Sequence, residues 1–341
     1  MSDLTPWSAT SASPIVRQLI ALAQPPRIFV GDCAIAKRFF EFFLVPIRNK
    51  HTRRAYSVAV CRFGDWLGGK RVMDLLDVEP TIAAAYFEQF EKTHARPTVK
   101  QHLAAVRKLF DYWVIGGVLS QNPVHAVRGP AYSARRGKAP GLAADDVRDL
   151  FEAIDTRTLL GARDQALLAL MVYTFARVSA ATGMRRKDYF VEGRERVVRL
   201  LEKGSKRREI PAHRALVRHL NLYLKKASEF DSEAQALGGH PRLSNDQDWL
   251  FQTIRGGKLT GRRMAQADAY RMVRRRALAA GVLGKIGNHS WRATGITTYL
   301  NQGGSLEHAQ DIAGHVSPKT TRLYDRREDK EMREEIERIQ F

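Results

Sequence analysis

From Gly129 to Leu142 the chain reads Gly-Pro-Ala-Tyr-Ser-Ala-Arg-Arg-Gly-Lys-Ala-Pro-Gly-Leu, a run of Pro, Gly and Ser breakers with three cations and no apolar period. A segment without a period has no face to bury, and Gly and Pro interrupt both helix and strand. This stretch is therefore read as a linker, in a chain whose length suggests about two domains. It divides the 341 residues into a first domain over 1–128, a basic linker over 129–141, a second domain over 142–324 and a tail over 325–341. Each domain is long enough for a core of its own.

Both domains read as mainly helical. In the first, Val99, Leu103, Val106, Phe110 and Trp113 fall on one helical stripe, with Pro97 at the expected first turn. Tyr56, Val60, Phe63 and Leu67 form a second stripe, which Asn49 or Thr52 can cap. In the second, Asp145 and Asp146 suit the start of a helix, where carboxylates complement the dipole. Ala166 through Phe175 is apolar nearly all round and predicts a buried helix that delivers Arg177 from its end. Val197 to Leu201, a Lys203-Gly-Ser-Lys206 turn and Arg207 to Pro211 predict a β-hairpin. The polar segment Ser228 to Gln247 is expected to be an insertion loop, and Trp249 to Phe251 a short buried piece. The expected fold is mainly α with a small antiparallel β element. No internal repeat is visible.

Several classes are excluded. The longest uncharged stretch in the middle of the chain, Ala166 to Ala176, is 11 residues, against roughly 20 for a membrane-spanning helix. The N-terminus has no basic region followed by an apolar run, so a secretory signal is not expected. Cys33 and Cys61 stand far apart and make neither a disulfide framework nor a zinc site. A cytoplasmic protein with no membrane association is expected.

Charge supplies the partner. Lys and Arg number 56 against 36 Asp and Glu, a net +20. Residues 1–139 hold 20 basic and 10 acidic side chains, leaving 36 and 26 for the rest, so each half carries +10. A surplus on both halves suits a polyanion gripped from two sides, and nucleic acid is favoured over solubility charge or a membrane surface. The candidate DNA-binding residues are Arg48, Lys50, Arg53 and Arg54, which cluster with His51 before the second stripe, and Lys100, Arg107 and Lys108 on the outer face of the first. In the linker, Arg135, Arg136 and Lys138 can follow a backbone of phosphates. Arg271, Arg274, Arg275 and Arg276 form a further basic run, equally consistent with a solvated face and with phosphate contact.

A set of polar residues is scattered through the second domain. Arg177 ends the buried helix, where it can either serve the helix's carbonyls or hold a phosphate by paired hydrogen bonds. Lys203 lies at the hairpin turn. His289 and Arg292, three apart, share a helix face. Gly314-His315 is followed by Ser317-Pro318, an N-cap and N1 proline for a short helix carrying Thr320 and Tyr324. Each has an ordinary structural explanation when taken singly.

Taken in order, the set Arg177, Lys203, His289-x-x-Arg292, Gly314-His315 and Tyr324 resembles the catalytic signature of the tyrosine recombinases, or phage integrases. Thr174-Phe-Ala-Arg-Val-Ser179, Glu202-Lys-Gly-Ser-Lys-Arg-Arg208 and His289-Ser-Trp-Arg292 resemble its motifs. His51-Thr-Arg-Arg-Ala-Tyr56 and the run from Thr98 through Asn122-Pro123 to Gly129-Pro130 are similar to its helical, SAM-like core-binding domain. The resemblance covers nearly the whole chain. It implies a helical N-terminal core-binding domain and a mostly helical catalytic domain with a small antiparallel sheet. One departure stands at Ala180, where the family usually has an acidic residue that steadies the site.

The implied activity is site-specific cleavage and rejoining of double-stranded DNA through a 3′-phosphotyrosine link. Two Arg forks, Arg177 and Arg292, can stabilise charge on nonbridging oxygens without a metal. A free Tyr has a pKa near 10, so a nucleophilic Tyr324 needs a base, for which His289 is the candidate, or cations that stabilise the phenolate. The resemblance assigns protonation of the leaving 5′-oxygen to Lys203 and a hydrogen bond on the phosphate to His315. Because the ester link is conserved, neither ATP nor another cofactor is expected. The tail, with seven acidic and five basic residues, carries Met332, Ile336 and Ile339 on one stripe. That stripe can pack on its own domain or dock into a neighbour within a tetrameric synaptic complex on DNA. A type IB topoisomerase-like nicking and closing enzyme and a non-catalytic basic DNA-binding regulator are the alternatives.

Overall fold

The computed structural model describes residues 25–133, 141–202, 206–236, 241–325 and 336–339. The chain divides into two compact units, Met1–Ser133 and Ala134–Phe341.

The first unit is helical. Helix α1 spans Cys33–Leu44 and α2 Lys50–Gly69, each begun by a side-chain cap. Asp32 Oδ1 accepts from the backbone N–H of Ala34 and Ile35, and Asn49 Oδ1 accepts from His51 and Thr52 at 2.9 and 3.2 Å, so Asn49 and not Thr52 is the cap of α2. Helices α3, Pro80–Thr93, and α4, Arg96–Ile115, both carry proline in the first turn, where no N–H is needed. The α4 stripe from Val99 to Trp113 is buried as its spacing predicts, among Phe29, Phe39, Phe42 and Phe63. Each such ring removed from water contributes about 1.5–3 kcal/mol before entropy is charged. A Cβ on Gly64 would meet the Phe29 ring at 2.6 Å, so only glycine lets α2 approach it.

The second unit is built around α6, Leu159–Tyr173, which is buried nearly all round. Helix α5, Ala144–Glu152, precedes it with Asp145 and Asp146 in its first turn. The short helix α7, Val178–Ala181, follows. Strands β1, Tyr189–Glu192, β2, Glu195–Leu201, and β3, Arg207–Pro211, form an antiparallel sheet in that order. The expected hairpin is β2–β3, with Val198 opposite Ile210 and Leu201 opposite Arg207. Strand β1 was not expected.

Helix α8 spans Arg214–Ala236 and corrects the first part of the insertion loop expected over Ser228 to Gln247, while residues 241–247 are irregular as expected. No Gly or Pro interrupts 214–236, and polarity there marks a solvated face rather than a loop. Leu216, Leu220, Tyr223 and Ala227 form the buried face. Within the last turns of the helix, Asp231 accepts from the backbone N–H of Arg242 and Leu243 at 2.9 and 2.8 Å and draws the segment beyond the helix back. Leu250 and Phe251 are fully buried, as expected. A second hairpin, β4 Gln252–Arg255 and β5 Lys258–Arg263, turns at Gly256 and Gly257, both at positive φ.

Helix α9, Gln266–Ala279, carries the basic run. Arg276 turns inward to Asp164, whose fully buried carboxylate also holds Arg163 at 2.5 Å, while Arg275 reaches the same carboxylate at 3.3 Å from an exposed position. Part of that run is thus an internal ion network and not a solvated face. The chain then forms α10, Asn288–Asn301, α11, Leu306–Ala313, and α12, Pro318–Arg322. None of the described helices is long and apolar enough to cross a membrane. Ile336 and Ile339 are exposed, and Met332 lies outside the described residues.

Candidate active site

Helix α6 ends abruptly. The Thr174 hydroxyl donates to the Leu170 carbonyl at 2.6 Å, and Phe175 follows at φ 52°, a left-handed conformation that a bulky residue rarely adopts. Burial of the Phe175 ring against Ile296 and Leu300 holds it there. The turn directs the Phe175 carbonyl at Arg292, whose Nη1 donates to it. Arg177, two residues on, is the N-cap of α7 and does not serve the α6 carbonyls. Its Nη1 donates instead to Glu202 Oε2 at 2.6 Å.

Arg292 comes from the first turns of α10 and is 1 % exposed. Its Nη2 donates to the Ala313 carbonyl at 2.6 Å and to His315 Nε2 at 2.7 Å. A guanidinium can only donate, so His315 Nε2 accepts, and the ring proton sits on Nδ1. Nδ1 lies 3.0 Å from Thr321 Oγ1, to which it donates. Burial, reinforced by Arg292, Arg177 and Arg208, pushes His315 down to about 3, which keeps the ring neutral. Both its nitrogens are engaged here, so a bond from His315 to a phosphate requires one of them to exchange partners. Burial and Arg177 pull Arg292 down to about 10, still a cation at neutral pH.

His315 is placed by the end of α11. Gly314 caps that helix at φ 59°, and His315 N–H returns to the Gln310 carbonyl at 3.1 Å. Ser317 and Pro318 start α12, as expected, but the helix stops at Arg322 and Tyr324 follows in a closing turn, its N–H bonded to the Thr321 carbonyl at 2.9 Å. The Tyr324 ring lies nearly parallel to His315, with centroids 5.9 Å apart, and its carbonyl accepts from Thr297 on α10 at 3.0 Å. His289 stands one turn before Arg292. Partial burial, then Arg292 and Arg177, hold its pKa below the ordinary imidazole value.

Arg177, His289, Arg292, His315 and Tyr324 are therefore gathered in one place. Lys203 lies outside the described residues, between β2 and β3. Two residues not singled out from sequence join the group. Glu202 bridges Arg177 and Arg208, the latter at 2.9 Å, and Arg208 also approaches the Asp311 carbonyl at 3.4 Å. Both sat inside the hairpin motif, but nothing in their spacing showed which cations the carboxylate would reach. Thr321, which fixes the His315 tautomer, was also missed. Among the described residues no three His, Cys, Asp or Glu side chains gather to hold a metal ion.

The cations of the first unit are sorted by their contacts. Arg48, Lys50, Arg54 and Lys108 are exposed. Arg53 donates to the Ile47 carbonyl at 2.8 Å, and Arg107 to the carbonyls of Val124 and Val127. Lys100 reaches the Tyr132 carbonyl at 3.5 Å. Arg135, Arg136 and Lys138 lie outside the described residues.

Residues 141–331, more than half of the chain, match the family model described as the phage integrase family. The chain is 27 % identical over 277 residues to tyrosine recombinase XerC of Myxococcus xanthus, covering 81 % of this chain and 87 % of that one. The fold is similar to that of XerH site-specific recombinase bound to palindromic difH substrate in a post-cleavage complex. There the TM-score is 0.66 at 22 % identity, over 84 % of this chain and 79 % of that one. It is also similar to a lambda integrase tetramer bound to a Holliday junction, with a TM-score of 0.62 at 16 % identity, over 93 % and 82 % of the two chains. With its matched segment running from the start of the second unit through Tyr324, the chain belongs to the phage integrase family, the tyrosine recombinases.

Proposed function

We propose that this tyrosine-type site-specific DNA recombinase cleaves and rejoins its DNA with the residues gathered around Tyr324. Arg177 and Arg292 hold the nonbridging oxygens of the scissile phosphate and stabilise the charge that develops there. His289 takes the phenolic proton of Tyr324. The phenolate oxygen attacks phosphorus, the P–O5′ bond breaks, and the 5′-oxygen leaves with a proton from Lys203. The product is a 3′-phosphotyrosine ester, and attack by a 5′-hydroxyl of another strand reverses the step. An ester is exchanged for an ester, so no external energy source is consumed.

The observation that carries this reading is the join between Arg292, His315 and Tyr324. The Arg292 guanidinium is bonded to the same imidazole on which the Tyr324 ring stacks. The domain boundaries read from the sequence, a core-binding domain over 1–128 and a catalytic domain over 142–324, belong to the same proposal. So does duplex DNA contacted by cations of both. A tetramer on DNA, with Ile336 and Ile339 of the tail docking into a neighbouring copy, is the assembly we propose, and a cytoplasmic site of action goes with it.

The test uses the full chain and duplexes selected for binding from a randomised pool, each synthesised with a nick so that a short 5′-hydroxyl fragment escapes. Wild type is expected to give a denaturant-resistant protein–DNA adduct, and Tyr324→Phe to give none while binding the duplex as before. An undiminished adduct with Tyr324→Phe would overturn the mechanism. On a two-site substrate, exchanged flanks mark recombination, whereas loss of supercoils without exchange marks the topoisomerase-like alternative.

A further inference from the structure

The site contains a carboxylate that no step above uses. Glu202 follows β2 directly, and its side chain is 7 % exposed. Both oxygens are engaged, Oε2 with Arg177 Nη1 at 2.6 Å and Oε1 with Arg208 Nη2 at 2.9 Å. Its backbone is fixed as well, since its N–H donates to the Lys206 carbonyl at 2.8 Å across the hairpin. Arg208 is largely buried, and among the described residues its Nε has no hydrogen-bond partner. Ala180, one turn beyond Arg177, is buried and offers only a methyl group.

Three guanidiniums, Arg177, Arg208 and Arg292, act on one another here, and Glu202 opposes their repulsion at Arg292. A guanidinium presents five N–H donors in a rigid plane. Tying one N–H of Arg177 to a carboxylate held by the sheet fixes that plane and leaves the remaining donors for an incoming anion. The same carboxylate fixes Arg208, whose Nε is a buried donor without an acceptor among the described residues.

We propose that Glu202 is a positioning residue that holds Arg177 and Arg208 side by side as a cradle for phosphate oxygen. The inference rests on the reading that Arg177 binds the scissile phosphate. It also sets Glu202 apart from a mere competitor for Arg177, whose removal would speed cleavage.

Glu202→Gln keeps the shape but breaks the bridge, because an amide can accept from one Arg only while turning its NH2 toward the other. With nicked duplex and saturating full-length protein, the rate of adduct formation is expected to fall about 10-fold to 100-fold. DNA affinity, compared in a Tyr324→Phe background, is expected to stay within about twofold. In an Arg177→Lys background the further loss caused by Glu202→Gln is expected to shrink to about twofold, because the residue acts through Arg177. Glu202→Asp, which keeps the charge but shortens the reach, should fall between Gln and wild type. A Gln variant as fast as wild type or faster, an equal loss of affinity and rate, or full additivity with Arg177→Lys overturns the proposal. If the proposal alone fails, Tyr324→Phe still abolishes the adduct; an adduct that survives Tyr324→Phe instead removes the reading on which it rests.

Discussion

At the residue scale the site divides its two histidines by environment. His315 is neutral and bonded on both nitrogens, so it orients Arg292 rather than moving protons. His289 is also pushed toward neutrality but stands at the exposed start of α10, and in the proposed mechanism it takes the proton of Tyr324. The sign of the resulting pH dependence follows. His289 works as a base only when unprotonated, and burial and the two arginines lower its pKa from the ordinary 6.5. The rate of adduct formation should therefore hold through pH 6.5 and fall on further acidification, as His289 gains a proton. Single-turnover cleavage between pH 5 and 8 checks this. His289→Gln should be slower throughout and lose that acid limb; a limb that survives in the variant assigns it to another group.

At the scale of elements, the position of Arg292 depends on how closely α6 and α10 approach. A Cβ on Gly295 would lie 2.2 Å from the Val172 carbonyl and 2.7 Å from the Phe175 ring, and neither the backbone nor the strained turn can easily yield. Gly295→Ala should push the two helices apart, cost about 1–3 kcal/mol as overpacking does, and carry Arg292 away from the Phe175 carbonyl. A thermal melt should show the unfolding temperature lowered by about 2–4 °C per kcal/mol, and an unchanged melt would mean that the crossing is slack. Such proximity is not written in the sequence, where Gly295 is one small residue within a helical pattern. Local signals were legible: Asn49 caps α2, and Pro97 and Pro318 lie in the first turns of α4 and α12 as expected, because these signals act within a single turn, although Ser317 stands at the N-cap position without making the side-chain cap bond. The β4–β5 hairpin has a legible signal in its Gly256-Gly257 turn, whereas the last turns of α8, from Ser228 to Ala236, resemble a loop because their polar residues form a solvated face. The order of the polar set from Arg177 to Tyr324 was also legible. The Glu202 bridge was not, because it forms only when the end of α6 meets the sheet.

For the molecule as a whole, a net +20 states that a polyanion is welcome but not which cations meet it. The structure separates cations already spent on the fold from those left outside. Arg107 lies along α4 with its guanidinium on the carbonyls of Val124 and Val127, closing the segment after α4 onto that helix. Arg48, Lys50 and Arg54 surround the start of α2 and are exposed. Phosphate contacts release counterions, so the affinity of duplex DNA should fall with salt at a logarithmic slope of about −0.9 for each contact made. If all three exposed cations contact phosphates, replacing Arg48, Lys50 and Arg54 together by Ala should make the slope shallower by about 3 and weaken binding to different sequences alike, with little change in thermal stability. Arg107→Ala should do the reverse, lowering stability by about 1–3 kcal/mol through unpaired carbonyls while leaving the slope nearly unchanged. Salt titrations of binding alongside melts of both variants separate the two outcomes. A slope indifferent to the triple substitution would place the phosphate contacts of the first unit elsewhere than at the start of α2.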